Sequence, residues 1–238
     1  MLEFIAARRS ASFLQTPAWA RVKSEWRGER IGFYDGDELT GVGLILYRKL
    51  PKLPRYLAYL PEGPVLDWSR DDIDEHFDAL VAHVKKRQAF AVRVGPAVVH
   101  RMWGTKTIKT AIADDNVTSL TEVAPDAITP EGERVVSVLK RGGWITDNTG
   151  QGFAAGQPQF NFQLSLRHED GTQKSEDELL KGMNQLWRRN IKKAAKLGVE
   201  VKLGTRDDLA RFHQVYLETA KRDGFTGRPL EYFEHMWD

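Results

Sequence analysis

Along this chain the spacing of apolar residues changes several times, and each change predicts an element. From Asp71 to Lys86, Ile73, Phe77, Leu80, Val81 and Val84 recur at intervals of three and four, the signature of an amphipathic helix. Pro17 to Trp26 reads as an earlier helix, with Thr16 as N-cap and Pro17 at the first helical position. The run "ERIGFYDGDELTGVGLILYRKL" predicts a hairpin turning at Asp35-Gly36, its second arm apolar enough for a central strand. "RYLAYLPEGPVLDW" adds a strand and a Pro/Gly corner, and "FAVRVGP" a short buried strand ending at Gly95-Pro96. Residues 97 to 128 read as a long irregular excursion. A helix follows from Thr129-Pro130 to Gly142-Gly143.

The stretch "DNTGQGFAAGQPQ" is rich in Gly, Gln and small residues and is the expected domain boundary. Beyond it "FNFQLSL" alternates like a strand. Ser175 with Glu178 forms a capping box for one long helix running to about Leu197, stopped by Gly198. "VEVKL" reads as a strand, Thr205 caps a helix through about Arg222, and a last helix starts at Pro229. Mixed helices and strands in this order predict an α/β or α+β architecture around a mixed sheet. The second half supplies helices with few strands to cover, which predicts that the chain is a fragment.

Composition narrows the chemistry. The 238 residues are 41% hydrophobic and 29% charged, as in an ordinary globular protein, with a net charge of only +2. Attraction to a polyanion must therefore come from local clustering. There is no cysteine, so disulfides, thiolate metal sites and a cysteine nucleophile are excluded. No apolar run approaches a membrane span, and Met1-Leu2-Glu3-Phe4 lacks a signal-peptide pattern; the expected location is the cytoplasm. The six histidines lie singly, so no metal site is expected. Phosphate-binding loops of the Gly-x-x-x-x-Gly-Lys and Gly-x-Gly-x-x-Gly kinds are absent, as is the turn that cradles coenzyme A pyrophosphate, and no cofactor is expected.

Clustering does occur in "LWRRNIKKAAKLGVEV". Leu180, Met183, Trp187, Ile191 and Ala194 fall on one helical stripe, while Arg189, Lys192, Lys193 and Lys196 recur on another side with Arg188 beside them. No acid interrupts the second half of this helix, and like charges at such spacing repel by a few tenths of a kcal/mol per pair. Two readings stand side by side: a solvated face favoured by the helix dipole, or a surface for a phosphate-rich partner. Trp187 either packs in a core or stacks on a base or sugar. Trp19 and Trp26 are expected in the core.

This run, followed by "FHQVYLETAKRDGFTGRPLEYFEHM", resembles the FemABX family of peptidoglycan-bridge aminoacyltransferases, with their Arg-Asn-x-Lys-Lys-x-x-Lys-x-Gly-Val hallmark. "FLQTPAWARVK" is similar to the family's opening segment, and "YLPEGPVLDW" to its Tyr-x-x-x-Gly-Pro-Val turn, so the likeness spreads from Phe13 to Met236. It implies two GNAT-like subdomains, the first over residues 1–150 and the second begun but incomplete over 151–238. It also implies transfer of an amino acid from aminoacyl-tRNA to the position-three side-chain amine of a peptidoglycan stem peptide. The partners would be aminoacyl-tRNA and UDP-MurNAc-pentapeptide or lipid II, with peripheral contact at the membrane carrying the lipid-linked precursor and no DNA. A chain cut short in its second sheet is expected to be inactive.

By the same resemblance Lys23 and Arg189 look like the pair that meets the precursor diphosphate, a point cation with a planar fork. Tyr59 and Gly63 belong to the substrate-side turn. Arg188, Lys192, Lys193 and Lys196 remain for the tRNA backbone. On its own Lys23, between Arg21 and Glu25, also fits a solvated helix face. One departure matters: where many relatives carry an aspartate before the strand-ending proline, this chain has Gly95, with Phe90 at a position where an aromatic is common. Asp67 is the remaining, weak candidate for a catalytic carboxylate, and aminolysis of an activated ester can draw most of its acceleration from positioning. Two alternatives are a GNAT-like transferase acting on another amine and a non-catalytic RNA-binding module.

Overall fold

The computed structural model describes residues 1–8, 11–146 and 157–238, and these form a mixed α/β fold in two compact units, Met1–Gln157 and Pro158–Asp238. The expected boundary at residues 147–159 falls largely outside the described residues.

The first unit is built on a hairpin, β1 (Arg27–Asp35) and β2 (Glu38–Lys49), turning at Asp35-Gly36 as the pattern predicts, with Gly36 at φ +58. A primed turn needs left-handed backbone there, which glycine adopts without cost. β3 (Tyr56–Leu60) pairs antiparallel with β2, and β4 (Val65–Leu66) pairs with the other end of β2. β5 (Ala89–Val94) runs parallel to β3, giving the order β1-β2-β3-β5. A parallel pair needs a crossover, and helix α3 (Ile73–Lys86) supplies it.

β2 is central and covered on both faces, so its residues from Thr40 to Tyr47 are all buried. On one face Ile45, Tyr47, Ala58 and Leu60 pack with Ile73, Phe77, Leu80 and Val84 of α3 and with Val135 and Val138 of helix α5 (Pro130–Arg141). The other face is met by the N-terminal segment: α1 (Leu2–Ala6), the 3₁₀ turn Phe13–Gln15 and α2 (Pro17–Val22). Gly28 lets α2 approach closely, since a Cβ there would stand 2.8 Å from the Ala20 Cβ.

Several expectations are corrected in this unit. α2 ends at Val22 rather than Trp26, and Trp19 and Trp26 are half-buried rather than core. The "FAVRV" strand lies at the edge of the sheet, so it is half-buried, with Phe90 exposed. Residues 97–128 are not wholly irregular. They hold β6 (Arg101–Met102), helix α4 (Thr105–Ile112) and a 3₁₀ turn at Leu120–Glu122, and β6 pairs with β7 (Ala127–Ile128). α4 is short and buries no side chain.

The second unit is helical. The long helix expected from Ser175 is two: α6 (Glu176–Gly182), which keeps the Ser175–Glu178 capping box, and α7 (Gln185–Lys196). Met183 and Asn184 separate them in extended conformation, and the Asn184 side chain accepts the Trp187 N–H at 2.9 Å, a new N-cap. Asn184→Ala is therefore expected to cost about 1 kcal/mol, read as a lower denaturation midpoint and reduced helical ellipticity. An unchanged midpoint would mean that the cap is dispensable.

Gly198 stops α7 at φ +71, as expected. A capping box at Thr205–Asp208 leads into α8 (Leu209–Asp223), ended by left-handed Gly224, and α9 (Leu230–Trp237) packs on α8 through Phe212, Tyr216 and Phe233. Neither "FNFQLSL" nor "VEVKL" forms a strand. Phe162, Val201 and Leu203 are almost fully exposed, because alternation makes a strand only where a neighbour completes the ladder, and none does among the described residues.

Candidate functional site

The segment from Gln15 to Asp67 positions the substrate-side candidates of the first unit. Gln15 is fully buried. Its Nε2 donates to the Pro61 carbonyl at 2.6 Å, and its Oε1 accepts the Leu44 N–H at 2.9 Å, so one amide ties the N-terminal segment to β2 and to the turn after β3. Gly63 lies directly against it: a Cβ at position 63 would stand 2.3 Å from the Gln15 Cδ. Glycine is required there for a close approach. Sequence reasoning passes over Gln15 as one letter of its motif. A single glutamine set between Phe13-Leu14 and the Thr16-Pro17 helix start is the signal that could have found it.

Lys23 is the C-terminal cap of α2, half-buried, with its Nζ 5.5 Å from the centre of the Trp19 ring. The chain turns from Lys23 to Trp26 through a 2.9 Å backbone hydrogen bond, and the Trp26 ring lies 6.2 Å from that of Tyr59. Tyr59 is half-buried; burial raises its phenol above the ordinary range, opposed by a hydrogen bond from Gln157. Gly63 in turn receives the Gly95 N–H on its carbonyl at 3.2 Å, bringing the two Gly-Pro corners together.

Asp67 begins a turn in which its carboxylate accepts both the Ser69 hydroxyl at 2.6 Å and the Ser69 N–H at 3.1 Å. Those two hydrogen bonds, the hydroxyl's first, hold its carboxyl below the usual range. Such a group suits a fixed negative charge better than proton abstraction. Asp67 also lines a hollow of about 170 Å³ together with Arg8 and Glu62.

In the second unit α7 carries Arg188, Arg189, Lys192, Lys193 and Lys196, and among the described residues none of the five forms an ion pair. All except the half-buried Arg188 are exposed, as are Leu186 and Trp187. The break at Met183–Asn184 gathers all five cations on α7. On one long helix, as on α7, the dipole would favour only the cations of the last turn. On α7 only Lys193 and Lys196 occupy the last turn, whereas Arg188 and Arg189 lie beyond the first turn and gain nothing from the dipole. Five neighbouring cations without an ion-pair partner among the described residues form a surface suited to an anion.

The chain is similar to known proteins over nearly its whole length. The chain is 25% identical over 237 residues to a lipid II:glycine glycyltransferase of Staphylococcus epidermidis, matching 99% of this chain and 49% of that protein. It is 26% identical over 238 residues to the lipid II:glycine glycyltransferase of Staphylococcus aureus strain MRSA252, again matching 49% of the relative. The crystal structure of FemX superposes with a TM-score of 0.65 at 25% identity, over 99% of this chain and 51% of that one. The chain thus spans about half the length of the curated relatives it matches. The FemAB family model matches residues 2–238, and the chain belongs to the FemAB family.

Proposed function

We propose that this chain takes part in building peptidoglycan cross-bridges, as an aminoacyltransferase that moves an amino acid from aminoacyl-tRNA to the position-three side-chain amine of a stem peptide. Family membership supports the reaction class, and relatives named for lipid II glycyl transfer support a cell-wall precursor as acceptor. In this reading residues 1–150 and 151–238 belong to two GNAT-like subdomains, and the protein works in the cytoplasm at the inner face of the membrane. The amine nitrogen attacks the ester carbonyl; the amide bond forms, the ester C–O bond breaks, and the released ribose oxygen takes up the proton that the amine nitrogen gives up. Positioning supplies most of the acceleration.

The observation that carries the proposal is the gathering of Arg188, Arg189, Lys192, Lys193 and Lys196 on one twelve-residue helix, where like charges repel unless an anion compensates. Arg189 and Lys23 are assigned to the precursor diphosphate, Tyr59 and Gly63 to the substrate side, and Arg188, Lys192, Lys193 and Lys196 to the tRNA backbone. Asp67 is assigned a charge-holding role.

Calorimetry with UDP-MurNAc-pentapeptide tests the assignment. Lys23→Ala and Arg189→Ala should each weaken binding about tenfold, the loss of one charge-assisted hydrogen bond, while Lys202→Ala, which removes a surface pair with Glu200, leaves it unchanged. Equal affinity in all three variants would overturn it. The RNA-binding alternative predicts salt-dependent affinity for tRNA that Lys192→Ala weakens, with no response to the precursor.

A further inference from the structure

The hollow beside Asp67 holds chemistry that the proposed function leaves unused. It is lined by Arg8, Glu62, Asp67, Trp68, Ser69 and Glu131, so one guanidinium and three carboxylates share a concavity of about 170 Å³. Asp67 is already engaged by Ser69. Glu62 and Glu131 make no hydrogen bond or ion pair among the described residues. The Arg8 Nε is buried and finds no acceptor, although its guanidinium is held in place over the Phe4 ring at 4.4 Å. The Arg8 side chain lines the hollow and forms no hydrogen bond or ion pair among the described residues, so its guanidinium is open to an anion there.

Glu62 itself sits at φ +50, backbone that favours glycine. The residue there is instead a half-buried glutamate that lines the hollow. The neighbouring corner leaves room: a Cβ at Gly95 would meet nothing closer than the Glu62 N at 3.8 Å. An excess of carboxylates calls for a cation, and the unmatched Arg8 calls for an anion beside it.

We propose that this hollow binds an α-amino-acid head group, a primary ammonium next to a free carboxylate, with Glu62 receiving the ammonium and Arg8 the carboxylate. An aminoacyl ester does not fit, because its carboxyl is esterified and offers Arg8 no charge. The inference rests on the proposed function: the head group is then the free end of the stem-peptide side chain at position three. The hollow selects a diamino-dicarboxylate side chain over lysine, whose amine stands alone.

Two synthetic tripeptides, L-Ala-γ-D-Glu followed by meso-2,6-diaminopimelate or by L-lysine, test this by calorimetry on the 238-residue chain. The diaminopimelate peptide should bind about tenfold tighter, the worth of one charge-assisted contact. Arg8→Gln should abolish that preference and leave lysine-peptide affinity in place. Glu62→Gln should weaken both peptides about tenfold. Glu62→Gly should weaken them equally while keeping or raising the thermal midpoint, since glycine accepts the backbone and only the carboxylate is lost. Equal affinity for the two peptides, undiminished binding in Glu62→Gln, or no binding of either peptide would overturn the inference. Lys23-dependent binding of UDP-MurNAc-pentapeptide, measured in parallel, shows whether the proposed function survives such a failure.

Discussion

Alanine at position 63 should lower the unfolding free energy by about 3–5 kcal/mol, and most of that loss should disappear when Gln15 is alanine as well. The added methyl would stand 2.3 Å from the Gln15 Cδ, 2.4 Å from its Oε1 and 2.5 Å from its Nε2, well inside contact distance. Gln15 is fully buried and cannot swing into solvent. It must be displaced, releasing the Leu44 N–H and the Pro61 carbonyl that it satisfies. Overpacking costs about 1–3 kcal/mol and each orphaned buried group about 1–3 more.

Gln15→Ala alone orphans the same two groups and should cost about 3 kcal/mol. It also removes the atoms with which a methyl at 63 collides. The double variant should therefore be more stable than the sum of the single effects by about 2–3 kcal/mol. Urea denaturation of the four proteins measures the coupling. Additive effects would show that the amide and the Gly-Pro corner do not depend on one another, and would leave the "FLQT" and "PEGP" motifs without a physical reason to occur together.

The second large effect is on acid stability. Glu29 on β1 accepts the Tyr47 hydroxyl at 2.7 Å, the Arg87 guanidinium at 2.7 and 3.0 Å, and lies 3.2 Å from the His83 Nε2. Burial alone would raise its pKa, but the hydrogen bonds from Arg87, Tyr47 and His83 outweigh burial and hold it at about 2. Burial and the same contact push the Tyr47 phenol upward.

A carboxylate whose folded pKa is depressed stabilises the fold above its unfolded pKa, and the contribution is lost as the pH falls toward the folded value. For Glu29 the window runs from 4.5 down to about 2. The full shift corresponds to about 3 kcal/mol; partial exposure of Glu29 and Arg87 reduces this to about 2–3 kcal/mol. Glu29→Gln should therefore be less stable than wild type by that amount at pH 7, and the gap should close as the pH approaches 2. Differencing the two proteins cancels the other carboxylates with lowered pKa, such as Asp72 with Arg70. A gap that stays constant from pH 7 to pH 2 would mean that Glu29 stabilises by packing rather than by charge.

Much of the first unit was legible because its signals are local. Asp35-Gly36 marks the hairpin, the spacing of Ile73, Phe77, Leu80 and Val84 marks α3, and Thr129-Pro130 marks the start of α5, each as found. Gly198 likewise stops α7 through its own backbone freedom. The basic run was legible too, and so was its family.

Other features depended on what lies across the fold. The sequence marks Gly63 as part of a motif, but only the buried amide of Gln15 against it supplies the physical reason, and no spacing in the chain predicts that contact. One helix from Ser175 to Leu197 was the natural reading of a continuous apolar stripe. Asn184 divides it, since a side-chain cap at that point competes with the helix ladder. The division gathers all five cations on one twelve-residue helix that carries no acid.

Alternation in "FNFQLSL" and "VEVKL" likewise records a capacity to pair, which no neighbouring strand realises among the described residues. Capping, glycine stops and hydrophobic period belong to a few consecutive residues, and the sequence by itself determines them. Close approach, strand pairing and the convergence of Arg8, Glu62 and Asp67 on one hollow join residues far apart in the chain. Only the tertiary structure decides these, because their energy comes from surfaces that meet on folding.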